Sequence, residues 1–347
     1  MNENDRIHNQ HPPTLSVIVA TPDRFQTVRQ LVRYLACQTI KDRLEMVFVV
    51  PSASELKMDR AEVAPFLQYR VVETGPFKSI NQARVAGIRK ASAPIVVLTE
   101  DHCFPAPTWA EALVNAHKGP WAGVGPAVGL ANTHSLKAWT SYFIQYAPWM
   151  KPIQSGIAED IPGHNSSYKK DILLEYGDAL EPMMDFEYVL HQDLKEKGYE
   201  LYVEADAETY HLFMTKTKAS IQEHFNIGRV LAASRARHIS LSKKVLFTLT
   251  SPLIPAVRIM RIYKKIREFG WQKELFPGIL PWLILGLKIS AAGEFMGYVF
   301  GKGKVQECII DLDFHRDRFV SDKERRRVWS EDLIDFTAMP VRPNIQG

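Results

Sequence analysis

Four short apolar segments alternate with helix-like segments over the first third of the chain, and this alternation limits the possible folds more than any other feature. The apolar segments are LSVIVA, LEMVFVV, YRVVE and PIVVL, at residues 15–20, 44–50, 69–73 and 94–98. After the first of them, apolar residues recur at the spacing of a helix: Val28, Leu31, Val32 and Leu35. Strands that alternate with helices predict an α/β fold, with a mostly parallel sheet and helices on both faces.

The fourth predicted strand runs directly into the polar segment TEDHCFP, residues 99–105. In open α/β sheets, ligands bind beyond the carboxyl ends of the strands. Glu100, Asp101 and His102 carry the carboxylate and imidazole groups that bind Mg²⁺ or Mn²⁺, and such an ion could neutralise a diphosphate. A strand end that is simply capped by polar groups in water explains the same residues equally well.

Three further places carry groups that could do chemistry. Asp185 and Glu187 precede an apolar helix, where a carboxylate can act as a general base or can merely interact with the helix dipole. His164 and Asn165 follow a Pro-Gly pair, which is consistent with a turn or with substrate contacts. His211 follows a predicted strand, and a single histidine is more often structural than a ligand.

Taken in order, these segments resemble the family 2 glycosyltransferases, which have the nucleotide-sugar-binding GT-A fold. The resemblance covers about two thirds of the chain, residues 14–237. Its motifs are an opening strand, loop and helix that end in Gln38-Thr39, an Ala-Arg-x-x-Gly helix at Ala83, Arg84 and Gly87, the DxD-like strand end TEDH, the loop IPGHNSSYKKDIL and the helix FEYVLHQDLKEKGY. Each motif is degenerate, and their common order and spacing carry the resemblance.

The resemblance implies an inverting glycosyltransferase (a hexosyltransferase-class enzyme) that moves a sugar from a nucleotide diphosphate-sugar to an acceptor hydroxyl. Counting back from Gly198 places Glu187 on the family's catalytic base, with Asp185 in reserve. The implied ligands of an Mn²⁺ or Mg²⁺ ion are Glu100, His102 and His211. The implied nucleotide-sugar-binding residues are Thr21, Pro22, Asp23, Arg24, Arg84, Glu100, Asp101, His164, Asn165 and Arg229.

Two departures from the family pattern keep a second function open. Pro51 and Ser52 follow the second strand, where the family has an aspartate, and the DxD motif has become Glu-Asp-His. Both are compatible with a non-catalytic GT-A module that holds a nucleotide at a membrane. A metal hydrolase built on Glu100, Asp101, His102 and His211 is a third alternative.

Composition excludes some classes of protein. The net charge of +4 is too small to indicate a nucleic-acid-binding protein. The three cysteines have no zinc-site or disulfide-framework spacing, which predicts a reducing compartment. The polar N-terminal segment lacks an apolar core, so no signal peptide is predicted there and residues 1–13 are expected to be a disordered lead.

The composition changes beyond residue 240. Two apolar stretches, residues 245–257 and 276–300, flank a basic run at 258–267. This pattern favours helices that lie on an anionic membrane surface over helices that span it, although a soluble helical subdomain is the alternative. We therefore predict a transferase domain at 14–239, a membrane-associating segment at 240–305 and a polar tail at 306–347. The expected location is the cytoplasmic face of a membrane, with a saccharide or lipid-linked acceptor from polysaccharide or glycolipid synthesis.

Overall fold

The computed structural model describes residues 11–184, 186–271, 273–330 and 332–337, and the elements given below are those of the described residues. The strands are β1 (Leu15–Ala20), β2 (Leu44–Val50), β3 (Gln68–Glu73), β4 (Ile95–Leu98), β5 (Cys103–Pro105), β6 (Gly123–Leu130), β7 (Gly156–Ala158), β8 (Ser167–Lys169) and β9 (Leu201–His211). The helices are α1 (Val28–Ala36), α2 (Arg60–Val63), α3 (Ile80–Lys90), α4 (Trp109–Ala116), α5 (Leu136–Tyr146), α6 (Lys170–Leu174), α7 (Leu180–Met183), α8 (Glu187–Glu196), α9 (Thr217–Arg235), α10 (Leu241–Thr250), α11 (Ile254–Glu268), α12 (Phe276–Phe300), α13 (Val305–Phe314) and α14 (Asp322–Val328).

The strands form one sheet in the order β3-β2-β1-β4-β8-β6-β9-β5, and β7 pairs with β9. The half that contains β3, β2, β1 and β4 is parallel, with Leu15 opposite both Leu44 and Ile95. Strand β8 then runs antiparallel to β4 and to β6. The predicted α/β class and the four predicted parallel strands are confirmed. Because the parallel strands share one direction, the loops after β1 and β4 lie at the same edge of the sheet.

The core of the sheet follows from the apolar runs. Every residue of β2 is buried, which is expected for a central strand of a parallel sheet that is covered on both faces. On α1, the predicted apolar positions are buried against this sheet: Val28, Leu31, Val32 and Leu35. Phe25, just before that helix, packs edge-to-face on Phe48 with ring centroids 5.3 Å apart.

Within the described residues, the chain divides into two compact units. The first runs up to Gly129 and also includes Lys151–Tyr210, so it holds the sheet and helices α1–α4 and α6–α8. The second consists of Leu130–Met150 and the chain from His211 to Ser330, and it is helical. The division at residues 239 and 305 that was inferred from the sequence stays a prediction.

Helices α9 and α12 are the centre of the second unit, and glycines let their backbones meet. A Cβ atom on Gly228 would lie 2.2 Å from the carbonyl oxygen of Ser290. One on Gly293 would lie 2.1 Å from the carbonyl oxygen of Phe225, and one on Gly297 would lie 2.3 Å from that of Arg229. No side chain fits at such distances, so these glycines set the closeness of the two helices.

Two helical segments are long and apolar enough to cross a membrane by length and composition alone: Leu241–Glu268, which contains α10 and α11, and Phe276–Phe300, which is α12. The second is one continuous helix although Pro281 lies inside it. The two segments differ in burial, since 44% of the apolar window of α12 is buried and only 17% of the other.

Candidate active site

The loop after β1 is held in an unusual conformation. The Asp23 carboxylate accepts hydrogen bonds from the Thr21 hydroxyl (3.0 Å) and from the backbone N–H groups of Gln26 and Thr27 (3.1 and 2.8 Å). Arg24 and Phe25 both have positive φ angles, 62° and 83°. Such angles are uncommon for residues other than glycine and concentrate at ligand-binding sites. Asp23 therefore organises a strained turn at the carboxyl edge of the parallel strands.

Beyond β4, Asp101 and His102 are both buried and bonded to each other. The Asp101 carboxylate lies 2.9 Å from His102 Nδ1 and also accepts a hydrogen bond from the Thr27 hydroxyl. His102 Nε2 lies 3.1 Å from Glu100 Oε2. A carboxylate that bonds one ring nitrogen fixes the orientation of the imidazole and makes its other nitrogen a better metal ligand. Asp101 is thus a positioning group for His102.

A single arginine joins the polar groups of three chain segments. Arg84, buried on α3, donates to Glu187 Oε1 (2.6 Å) and to Glu100 Oε1 (3.2 Å). Its Nη2 also lies 3.0 Å from His164 Nδ1, which in turn lies 2.9 Å from Glu100 Oε1. We call Arg84, Glu187, Glu100 and His164 the arginine cluster. It brings together the predicted base, one predicted metal ligand and two predicted nucleotide-sugar contacts.

The charges of the arginine cluster shift the pKa values of its members. Burial alone raises the pKa of Glu187, but Arg84 and then His164 more than reverse this, and the net pKa is lowered. For Glu100, burial likewise raises the pKa, while His164 and His102 bring it well below its usual value. Burial lowers the pKa of His164, yet Glu100 raises it by more. At neutral pH both carboxylates are therefore ionised.

The loop between β7 and β8 reaches the arginine cluster through a glycine. A Cβ atom on Gly163 would lie 2.6 Å from Glu187 Oε2, so a side chain there would displace the Glu187 carboxylate. The next residue but one, Asn165, has φ 61°, donates its backbone N–H to Leu98 (2.7 Å) and accepts from the Thr99 hydroxyl (2.7 Å). Asn165 therefore fixes the loop to the end of β4 and leaves His164 at Glu100.

Glu187 is the first residue of α8, and a buried chain of hydrogen bonds supports that helix one turn further on. His191 Nε2 lies 2.8 Å from the Tyr168 hydroxyl, and its Nδ1 bonds to Asp160. His191 and Tyr168 are almost fully buried. His191 also lowers the pKa of Glu187 slightly, after Arg84 and His164. These residues fix the position from which Glu187 projects.

A possible metal-binding cluster contains two of the predicted ligands plus a cysteine. Glu100, His102 and Cys103 each offer one ligand atom, and these atoms lie within 4.8 Å of one another. The third predicted ligand, His211, is the last residue of β9 and belongs to the second unit. Imidazole and thiolate are ligands that Zn²⁺ prefers, whereas carboxylate oxygen also suits Mn²⁺ and Mg²⁺. The donor set therefore fits a divalent ion and includes two of the three predicted ligands, and the role of His211 stays a prediction.

Two predicted site residues, Arg229 and Arg24, contact groups that do not belong to the arginine cluster. Arg229 lies on α9 in the second unit, where its Nε donates to the Gly301 carbonyl oxygen at 2.9 Å. Arg24 makes an exposed ion pair with Glu55 at 3.4 Å. Asp185, the reserve base, lies outside the described residues. The roles assigned to these residues stay predictions.

A comparison with protein families identifies the domain that carries most of these residues. The model described as glycosyl transferase family 2 matches residues 16–177, just under half of the chain. These residues form a family 2 glycosyltransferase domain. The match covers β1 through β8 and includes Arg84, Glu100, His102 and His164. Glu187 and His211 lie beyond it.

One solved structure supports the fold of the chain that contains this domain, and a second is similar at a lower TM-score. The mannosyltransferase PcManGT from Pyrobaculum calidifontis, in complex with GDP-Man and Mn²⁺, matches over 83% of this chain and 88% of its own, with 16% identity and a TM-score of 0.51. TarS from S. aureus matches over 83% of this chain and 55% of its own, with 14% identity and a TM-score of 0.41. No curated protein matches the sequence. The predicted family, GT-A fold and glycosyltransferase class are confirmed.

Sequence reasoning missed several residues of the glycosyltransferase site. Cys103 follows His102 directly, and its place beside a candidate metal ligand was the available signal. Gly163 belongs to a Pro-Gly pair that was interpreted only as a turn. Asp160 lies between β7 and β8, Tyr168 lies on β8 and His191 lies on α8, and no local sequence pattern connects them.

Proposed function

We propose that this chain is an inverting glycosyltransferase that moves a sugar from a nucleotide diphosphate-sugar to an acceptor hydroxyl. The observation that supports it best is the position of Glu187. Its carboxylate begins α8, is kept ionised by Arg84 and lies beside the glycine-containing loop of His164. An ionised carboxylate at a ligand-binding edge of the sheet is suited to accept a proton from a bound hydroxyl.

Inversion follows from a single displacement. The Glu187 carboxylate takes the proton of the acceptor hydroxyl as the acceptor oxygen bonds to C1 of the sugar. The bond from C1 to the diphosphate oxygen breaks on the opposite face, and its electron pair leaves with the nucleotide diphosphate. One base and one displacement invert the configuration at C1. General-base catalysis of this kind typically contributes ~10²–10⁴-fold in rate.

Arg84 is the residue that would connect donor binding to the base. It is shared by Glu187, Glu100 and His164. A diphosphate is a stronger partner for a guanidinium than a single carboxylate, because it carries more charge and accepts bidentate hydrogen bonds. A donor that draws Arg84 away from Glu187 would leave that carboxylate more basic at the moment when the acceptor needs it.

A divalent ion, Mn²⁺ or Mg²⁺, would be held by Glu100, His102 and His211, with Cys103 as a further donor. When bound, it would stabilise the negative charge of the leaving diphosphate. Asp101 orients His102 for this role through Nδ1. The Mn²⁺ complex of the mannosyltransferase from P. calidifontis supports testing Mn²⁺ first, and its GDP-Man supports testing that donor first.

We further propose that the acceptor is a saccharide or a lipid-linked molecule of polysaccharide or glycolipid synthesis, and that the protein works at the cytoplasmic face of a membrane. Two apolar helical segments support this, because a transferase held at a bilayer has its lipid-linked acceptor concentrated beside it.

Replacing Glu187 by Gln tests the assignment. The variant keeps its size and loses the charge, so transfer should fall by ~10²–10⁴-fold. Donor binding, measured by calorimetry with nucleotide diphosphate-sugars and Mn²⁺, should persist. A matched control is Glu196→Gln at the other, exposed end of the same helix, which should transfer sugar like the parent chain. Unchanged turnover in Glu187→Gln would remove the base assignment, and donor binding without turnover on any acceptor in the parent chain would favour a non-catalytic module.

A further inference from the structure

Helices α10 and α11 present a row of large apolar side chains to solvent. Leu249 and Met260 are 72% and 63% exposed. We call the following residues the apolar face: Leu241, Val245, Leu246, Leu249, Leu253, Val257 and Met260. Soluble monomers seldom expose so many contiguous large apolar residues, and such patches mark interaction surfaces.

On α11, the apolar face is one side of a helix whose other side is packed. On α11, Ile262 and Ile266 lie on the opposite side from Val257 and Met260 by helical spacing, and both isoleucines are buried. On the packed side, Arg258 donates to the Ile144 carbonyl oxygen at 3.2 Å. The helix is therefore anchored on one side, and its other side has no partner among the described residues.

The charge around the apolar face is almost entirely positive. The segment from Leu241 to Glu268 contains seven basic residues and one acidic residue. By helical spacing, Arg261, Lys264 and Arg267 continue the exposed side of α11 beyond Met260, and all three are exposed. Binding of a helix to the interface of an anionic bilayer increases with the apolar area that it buries and with the attraction of its basic residues to the lipid, and this side of the helices offers both.

We propose that the apolar face lies in the headgroup region of a bilayer that contains anionic phospholipid, with α10 and α11 parallel to the surface. The apolar side chains would enter the acyl boundary, while Arg261, Lys264 and Arg267 would contact lipid phosphates. The proposal deepens the membrane part of the proposed function. It concerns lipid binding alone, which is measured without donor or acceptor.

Two alternative explanations of the apolar face, a membrane-spanning arrangement and a contact with a second copy of the chain, fit the observations less well. A spanning arrangement would place Arg258 near the bilayer centre together with Glu294, which lies 3.7 Å from it, and charged groups there are costly. A second copy of the chain would bring two strongly basic faces together, and like charges across an interface oppose association.

Co-sedimentation of the full chain with vesicles tests the proposal. We expect binding to mixed phosphatidylcholine/phosphatidylglycerol vesicles and much weaker binding to phosphatidylcholine alone. The double variant Leu249→Glu/Met260→Glu should lose roughly tenfold or more in partition coefficient, since it removes apolar burial. Each of Arg261→Gln and Lys264→Gln should lose about fivefold on the anionic vesicles only. All these positions are exposed, so the thermal unfolding midpoint should stay that of the parent chain.

The control is Ile157→Glu, because Ile157 is 65% exposed on β7 in the first unit and lies outside the apolar face. It should bind vesicles like the parent chain. The proposal is overturned if the parent chain binds neither kind of vesicle, or if the double variant binds both as well as the parent does. Resistance to extraction by alkaline carbonate would replace it by a spanning segment, and a dimer that the double variant dissociates would replace it by self-association. Loss of sugar transfer in Glu187→Gln leaves this proposal untouched.

Discussion

Each of the two units buries arginines among acidic groups, but they do so in different ways. In the first unit, Arg84 is shared by three groups from separate segments: Glu187, Glu100 and His164. In the second unit, Arg316 has Glu223 at 2.6 Å and Asp313 at 2.9 Å, and all three are helical or next to a helix.

The difference separates groups arranged for a ligand from groups arranged for stability. The arginine cluster holds two carboxylates and a histidine around one guanidinium at the carboxyl edge of parallel strands, where an incoming anion can compete for Arg84. Arg316 instead closes a contact between α9 and the chain after α13. We therefore expect changes at Arg84 to alter chemistry and changes at Arg316 to alter folding.

The largest effect is expected for Arg316→Ala. Removing one partner of a buried ion pair leaves the other charge buried, which typically costs about 3–5 kcal/mol in the free energy of unfolding. Glu223, almost fully buried, would be that charge. Urea unfolding should give a lower midpoint, while turnover per folded molecule should be that of the parent chain.

An apolar double variant, Arg316→Met/Glu223→Leu, is the control for this result. Replacing both members of a buried pair by apolar residues of similar size is often neutral or stabilising, so the double variant should recover most of the lost stability. Equal destabilisation of the single and double variants would mean that packing, and not charge, explains the role of Arg316.

A smaller effect, on pH dependence, is expected for Arg84→Gln. Arg84 is the strongest of the groups that lower the pKa of Glu187, followed by His164, a backbone hydrogen bond and His191. Without the guanidinium, the pKa of Glu187 rises, so its carboxylate becomes protonated at higher pH. The acid limb of kcat/KM against pH should therefore move to higher pH.

Arg89→Gln is the matched control, because Arg89 lies on the same helix and pairs only at the surface, with Asp178 and the Gly177 carbonyl oxygen. Its pH profile should match that of the parent chain. A profile in Arg84→Gln that keeps its acid limb would show that Glu187 is not the group that titrates in catalysis.

The parallel half of the fold could be predicted from the sequence because each of its strands is a local apolar run. Residues 15–20 and 44–50 were predicted as strands with the bounds that the structure has. The loop positions of Glu100 and His164 followed from strand ends and a Pro-Gly pair. At these positions the local sequence pattern was enough to predict where the residue lies in the fold.

The arginine cluster could not be predicted as a unit, because its members are far apart in the sequence. Arg84 and Glu187 are separated by 103 positions. Nor could the sequence show that α12 is more buried than α10–α11, because the most apolar window of each segment has the same mean hydropathy of 1.4. Their different burial depends on Gly228, Gly293 and Gly297, which bring α9 against α12. Such close backbone contact depends on both helices together, and in the sequence it is marked by a few glycines alone.

The smallest effect is expected for Glu294→Gln, in the other buried ion pair of the second unit. Burial raises the pKa of Glu294, and Arg258 with Arg235 reverses only part of this. At neutral pH the ionised carboxylate is thus poorly compensated, and a neutral amide should change the free energy of unfolding by about 1 kcal/mol or less.

The raised pKa of Glu294 also predicts the direction in which folding stability changes with pH. Since the folded pKa of Glu294 is raised, its contribution to stability is fully present below the unfolded pKa and is lost as pH rises through the folded value. The parent chain should therefore gain stability relative to Glu294→Gln on acidification from neutral pH towards the usual carboxyl range near 4.5. Urea unfolding of both chains across that range measures the difference. A parent chain that instead loses stability relative to the variant would mean that Arg258 holds Glu294 as firmly as Arg316 holds Glu223, and the two ion pairs would then belong to one class.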